Sequence, residues 1–165
     1  MKIALVHDHL TQEGGAEKVL RALQEIWPQA PTYTLVYDQR RVGSLFAGQD
    51  IRPSWLQRIP GAVRYNRLLL PWMPLATESY RLNDFDVVLS SSSAFAKGVI
   101  TQATTLHLCY CHTPTRYLWT DTHEYVAELP YPRIIKRLLL PPLLSRLRGW
   151  DFLAAQRVDK FIANS

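Results

Sequence analysis

The stretch "KIALVHDHLTQEGGAEKVLRALQEIWPQAPTYTLVYD", residues 2–38, decides the fold. "KIALVH" is a short, continuous apolar run, the pattern of a parallel strand buried on both faces. A polar loop carrying Gly14-Gly15 follows it. Val19, Leu20, Leu23, Ile26 and Trp27 then recur at helical spacing, and Pro28 stops the helix. "TYTLVYD" (32–38) is β-branched and aromatic, which predicts a second strand. Strand, loop, helix and strand with short connections make a right-handed βαβ unit.

The same alternation continues downstream. A short strand is expected near Ile51, and "RYNRLLLPWMPLATESYRL" (64–82) reads as helix interrupted at Pro71 and Pro74. "FDVVLSSS" (85–92) and "TTLHLCYCH" (104–112) read as buried strands. Residues 130–157 read as helix with a break or restart at Pro141-Pro142, and "DKFIANS" (159–165) as a last core strand. The expected fold is α/β, a Rossmann-like, doubly wound and mostly parallel sheet flanked by helices. There is no internal repeat and no low-complexity segment.

The 165 residues suit one domain with a sizeable core. The apolar run after Met1-Lys2 is too short for a secretory signal, and no run reaches the ~18 residues of a membrane span. The net charge of +5 favours anionic partners without choosing among phosphates, nucleic acid and an acidic membrane. Two cysteines, Cys109 and Cys111, do not make a disulfide scaffold, so the expected compartment is the reducing cytoplasm. A chain that stops at a core strand reads as one domain of a longer protein.

In open α/β sheets, ligands bind beyond the carboxyl ends of the strands. Three polar clusters fall at such ends: "HDHLTQEGGAEK", "SSSSAFAKG" and "CHTPTRYLW". Gly14-Gly15 lets backbone approach a ligand at a helix start, a plausible phosphate contact or simply a flexible helix entry. Glu17, in the first turn, suits the helix dipole. "SSSSAFAKG" offers hydroxyls, main-chain N–H groups and Lys97 to a sugar or phosphate, or else caps a helix. A nicotinamide dinucleotide site is disfavoured. Asp38 could bind a ribose, but there is no GxGxxG, and Gly14 lies a full loop beyond His7. His7, Asp8, His9, Cys109, Cys111 and His112 lack any recognised metal spacing, so no metal and no other cofactor is expected. The cysteines read as small core hydrophobes. Segment 133–160 interleaves Arg133, Lys136, Arg137, Arg146, Arg148, Arg157 and Lys160 with apolar residues, and Arg64 and Arg67 flank "LLLPWMPL". That pattern suits an anionic membrane surface or a helix with a buried stripe. It matches no nucleic-acid recognition motif.

Four pieces, "KIALVHDHLTQEGGAEKVL", "FDVVLSSSSAFAKGV", "CYCHTPTRYLW" and "WDFLAAQRVDKFIANS", taken in this order, resemble the N-terminal domain of a family 4 retaining glycosyltransferase of the GT-B architecture. Residues 40–80 carry no part of the resemblance. The resemblance implies two Rossmann-like domains facing a cleft. Residues 1–165 would form the acceptor-side domain. A C-terminal domain beyond this chain would bind the nucleotide-sugar donor and supply an E-x7-E motif. Gly14 and Gly15 would approach the donor diphosphate, and His112 would stand beside the transferred sugar. Asp8, His9, Ser91, Ser92, Lys97 and Arg116 would line the acceptor side. The acceptor would be a sugar, a growing polysaccharide or a lipid-linked molecule. The fragment alone would be inactive; the expected location is the cytoplasm, with a peripheral contact on the inner face of the cell membrane as one option. The competing expectation is a non-catalytic α/β module on an anionic membrane surface.

Overall fold

The computed structural model describes residues 1–129 and 131–164. Pro130, at the head of the expected helical stretch, and Ser165, at the end of the last expected strand, lie outside them. The described chain is an α/β fold around a six-stranded, all-parallel sheet. The strands are β1 (Ile3–His7), β2 (Thr32–Thr34), β3 (Ile51–Pro53), β4 (Val87–Ser92), β5 (Leu106–Cys111) and β6 (Lys160–Ala163). Their spatial order is β3-β2-β1-β4-β5-β6. The chain leaves β1 towards one edge, then returns to lay β4 on its other side. The reversal opens a crevice between the carboxyl ends of β1 and β4, where doubly wound folds hold ligands.

The strands sort their side chains by alternation. Ala4, Val6 and Val88 join Leu82, Ala96 and Val99 on one face. Leu5 and Leu89 join Leu20, Val42 and Phe46 on the other, under α1 (Gly15–Ile26) and α2 (Gln39–Val42). A third cluster, including Leu56, Leu70, Met73, Phe95, Leu118, Leu140 and Leu144, binds the helical middle of the chain to its last third. It gathers two 3₁₀ turns (Trp55–Arg58 and Asn66–Trp72), α3 (Met73–Glu78), α4 (Arg116–Trp119), α5 (Thr122–Glu128) and α7 (Leu140–Ala155), while α6 (Arg133–Leu138), just before α7, contributes no residue to it. A third 3₁₀ turn, Ala96–Gly98, follows β4.

Several elements differ from the sequence expectation. The second strand ends at Thr34, because residues 35–38 pair with the loop after β1 instead: Leu35 N–H donates to Asp8 O, Leu10 N–H to Val36 O and Asp38 N–H to Leu10 O. Pro71 does not interrupt the helical stretch. It sits inside the 3₁₀ turn, and Pro74 lies in the first turn of α3, where a missing N–H costs nothing. Pro141-Pro142 marks a restart, at the first turn of α7. In α1 the buried residues are Glu17, Leu20 and Gln24, while Ile26 is exposed. Gln24 is buried because its Nε2 donates to Thr32 Oγ1 at 2.9 Å. The last strand is not core: β6 forms the sheet's edge, and each of its residues is exposed.

Candidate functional site

A cleft of about 630 Å³ opens at the β1/β4 crossover. His7, at the end of β1, and the loop to α1 form one wall, and Ser93 to Phe95 after β4 form the floor. The opposite wall comes from Arg67, Arg116, Tyr117, Asp121, Glu124, Tyr125 and Glu128. Tyr117 and Tyr125 pack ring against ring with centroids 4.7 Å apart. Arg116 Nε lies 3.6 Å from Asp121 Oδ2, and Arg67 Nη1 lies 3.8 Å from Glu128 Oε2.

Asp8 is the anchor of the floor. Its carboxylate accepts from the backbone N–H groups of Ser93 (2.6 Å), Ala94 (2.9 Å), Phe95 (2.8 Å) and Ala96 (2.6 Å). Burial works to raise its pKa. His9, His7 and these N–H donors outweigh burial and hold the carboxyl below the ordinary aspartate range. The chain thereby supplies its own anion to the turn after β4. The main-chain donors of "SSSSAFAKG" at Ser93 to Ala96 are thus occupied from within the fold and not open to a sugar or phosphate, while Ser93, Ala94 and Phe95 still line the cleft. Ser90 Oγ meets His107 Nε2 at 2.9 Å, and Ser92 Oγ accepts from Lys97 N–H at 3.2 Å. Lys97 Nζ donates to Ala94 O, Thr115 Oγ1 and Asp151 Oδ1, the last at 2.6 Å. Asp151 also accepts from Thr115 Oγ1 and Trp119 Nε1. Lys97 is therefore a buried clasp between β4 and α7, with its three donors used inside the fold.

Of the residues expected at the site, Asp8, His9, Gly14, Gly15 and Arg116 line the cleft. Ser91, Ser92 and Lys97 are buried away from it. His112 stands half-buried just past β5, directly before Thr113 in the cleft wall. Its Nε2 lies 2.7 Å from Ser91 Oγ. Ser91 Oγ also lies 3.1 Å from His7 Nδ1, and His7 Nε2 lies 3.8 Å from Glu17 Oε1. Burial, then the neighbouring His7, lower the His112 pKa, against the pull of Asp8 and Glu17. His9 is lowered by burial, and its Nδ1 is buried without a partner among the described residues.

Glu17 was the residue least visible in the sequence. It is buried rather than a solvated first-turn acid. Burial raises its pKa, but the His7 ring and the N–H groups of Glu17 and Gly14 outweigh this and keep it low. Its side chain presses on Gly14, where an added Cβ would lie 2.8 Å from Glu17 Oε2. Gly15 differs. It has no positive φ, and an added Cβ there would meet nothing within 4 Å. The chain's own packing makes no demand for glycine at 15.

Cys109 is buried, its thiol pushed up to about 11 by burial, and Cys111 is half-buried and also raised. Both are free thiols. No cluster of three or more His, Cys, Asp or Glu among the described residues is arranged to hold a metal ion. No helix among them is long and apolar enough to cross a membrane. No protein-family model matches the chain, and neither does any curated protein or solved structure.

Proposed function

We propose that the chain is the acceptor-side half of a retaining glycosyltransferase, whose donor-binding domain lies beyond it. The observation that carries this reading is the meeting of three separated motifs, the His7–Gly15 loop, the turn after β4 and the Thr113–Arg116 segment, around one cleft at the β1/β4 crossover. The cleft offers carboxylates at Asp121, Glu124 and Glu128, donors at Arg67 and Arg116, and an aromatic pair. Such a mixture of acceptors, donors and apolar faces suits a polyhydroxylated ligand. Gly15 supports the same reading. A glycine that the fold itself does not need leaves the Gly15 backbone open to a diphosphate at the start of α1, beside the Glu17 carboxylate that already takes the N–H groups of Glu17 and Gly14. His112, just past the carboxyl end of β5 and directly before Thr113 in the cleft wall, would orient a hydroxyl of the transferred sugar.

The test is transfer from a panel of nucleotide sugars by two proteins. The 165-residue chain alone should not turn over, and the chain joined to the sequence that follows it in its gene should. Turnover by the chain alone, or a following sequence without a second Rossmann-like segment and its acidic motif, would overturn the reading.

Two exposed segments favour an anionic membrane as the place of work. Ile134 and Leu138 of α6, and Leu139 directly after it, are exposed close in sequence to Arg133 and Arg137, and Leu68, Trp72 and Leu75 are exposed close in sequence to Arg64 and Arg67. Apolar side chains among cations insert where headgroups are acidic. A lipid-linked acceptor would be met there, on the cytoplasmic face. Binding to vesicles containing phosphatidylserine should weaken as salt rises. Equal binding to neutral vesicles, or none to either, would contradict it and remove support from the non-catalytic membrane module as well.

A further inference from the structure

We infer that Glu17, His7 and Ser91 form a positioning chain that holds His112 in a single tautomer, with its Nε2 protonated and its Nδ1 free to accept. The purpose of this device rests on the sugar-transfer reading; its geometry does not. Ser91 has one hydroxyl hydrogen and stands between two ring nitrogens, His7 Nδ1 at 3.1 Å and His112 Nε2 at 2.7 Å. It can donate to only one of them and must accept from the other. The direction is set at the far end. The Glu17 carboxylate is buried with Oε1 3.8 Å from His7 Nε2, an ion-pair separation longer than a hydrogen bond, and its negative charge favours the tautomer with the proton on that nitrogen. When His7 is neutral, its Nδ1 is then the acceptor. Ser91 therefore donates to His7, and its oxygen takes the N–H of His112 Nε2.

No described residue hydrogen-bonds His112 Nδ1, and this atom is not among the buried polar atoms that lack partners. It is left as an accessible lone pair at the carboxyl edge of β5. The groups bearing on His112 are His7, Asp8 and Glu17 from the β1 side, and the Tyr110 ring at 5.1 Å on its own strand. A buried acid that orders a neighbouring imidazole is a known device for fixing tautomers. Here it acts through a second histidine and a serine. A proton taken up at His112 Nδ1 has a defined exit. The Nε2 proton passes to Ser91 Oγ as the Ser91 hydrogen passes to His7 Nδ1, along the 2.7 Å and 3.1 Å contacts of that hydroxyl. No bond other than these N–H and O–H bonds changes.

The test reads the ring nitrogens of His112 by long-range ¹H–¹⁵N NMR on the labelled 165-residue chain, above the pH at which this histidine titrates. The wild type should show one tautomer, protonated at Nε2. Ser91→Ala should give a mixture, because the bridge is gone. Glu17→Gln should also give a mixture, because an amide can donate as well as accept and no longer dictates the His7 proton. Should Ser91→Ala fail to fold, Glu17→Gln decides alone. A wild type protonated at Nδ1, or a Glu17→Gln spectrum identical to wild type, would overturn the inference. Neither result depends on sugar transfer, so loss of the enzymatic reading would leave the tautomer result standing, and the reverse.

Discussion

Replacing Asp8 by asparagine removes the anion from the turn after β4 while keeping the side chain's shape. The carboxylate accepts four backbone N–H groups at 2.6 to 2.9 Å. The amide keeps one oxygen, enough for two of those donors, and turns an NH₂ towards the other two. Hydrogen bonds to a charged group contribute about 1.5–3 kcal/mol each, and an unsatisfied buried donor costs about 1–3 kcal/mol. The neutral side chain is cheaper to bury, which offsets part of the loss. A net destabilisation of about 3–4 kcal/mol follows for Asp8→Asn, a fall in Tm of roughly 10 °C for a domain of this size. Urea denaturation gives the difference directly, provided the m value is unchanged. The pH dependence supplies a second check. The folded-state pKa of Asp8 is lowered, so its contribution is present above the ordinary aspartate pKa and is lost as pH falls through the folded value. The variant should lack that acid-side loss. A destabilisation under about 1 kcal/mol would refute the argument that this carboxylate holds the turn.

Gly98→Ala should destabilise by about 2–3 kcal/mol, because the new Cβ would overlap the Trp150 ring, which is held by its Nε1 bond to Glu78. Urea melts of Gly98→Ala, Trp150→Leu and the double variant should show a loss smaller than the sum of the singles; strict additivity would count against the clash. His107 is buried and, chiefly by burial, its pKa is lowered to about 4. The unfolded chain binds this proton near pH 6.5, so stability should fall as pH drops from about 6.5 to about 4, by roughly 3 kcal/mol. His107→Gln should flatten that slope, and an unchanged slope would be evidence against the assignment. Alkylation of the native protein should label Cys111 well before the buried Cys109; equal rates would contradict the burial order.

The central strands were legible because buried parallel strands are continuous apolar runs. "KIALVH", "FDVVLSSS" and "TTLHLCYCH" each predicted a strand that the sheet contains. The crossover followed from their alternation with helices. The edge position of β6 was not legible, since an apolar segment reads the same in the core as at an edge. The short helices α4 and α5 carry too few residues for a periodic signal. At the site, Asp8, His9, Gly14, Gly15 and Arg116 line the cleft, whereas Ser91, Ser92 and Lys97 are buried away from it: Lys97 is taken up by Asp151, remote in the chain, and Ser92 by the Lys97 N–H five residues on. Asp151 takes up Lys97 from a helix that hydropathy alone describes as basic and apolar. Glu17 left one usable signal. It lies in helical phase with Leu20 and Gln24, so an apolar stripe that includes an acid and an amide pointed to buried polar partners.

The most direct measurement is sugar transfer by the chain joined to its following sequence, compared between wild type and His112→Ala, with stability measured in parallel. A hydrogen bond that orients the sugar matters most in the transition state, so the account predicts a kcat/KM lower by roughly 10²-fold, about 2.7 kcal/mol. Urea stability should stay nearly unchanged, because His112 is only half-buried. Wild-type activity in the variant, or activity lost only in step with unfolding, would contradict the proposed role of this edge of the sheet.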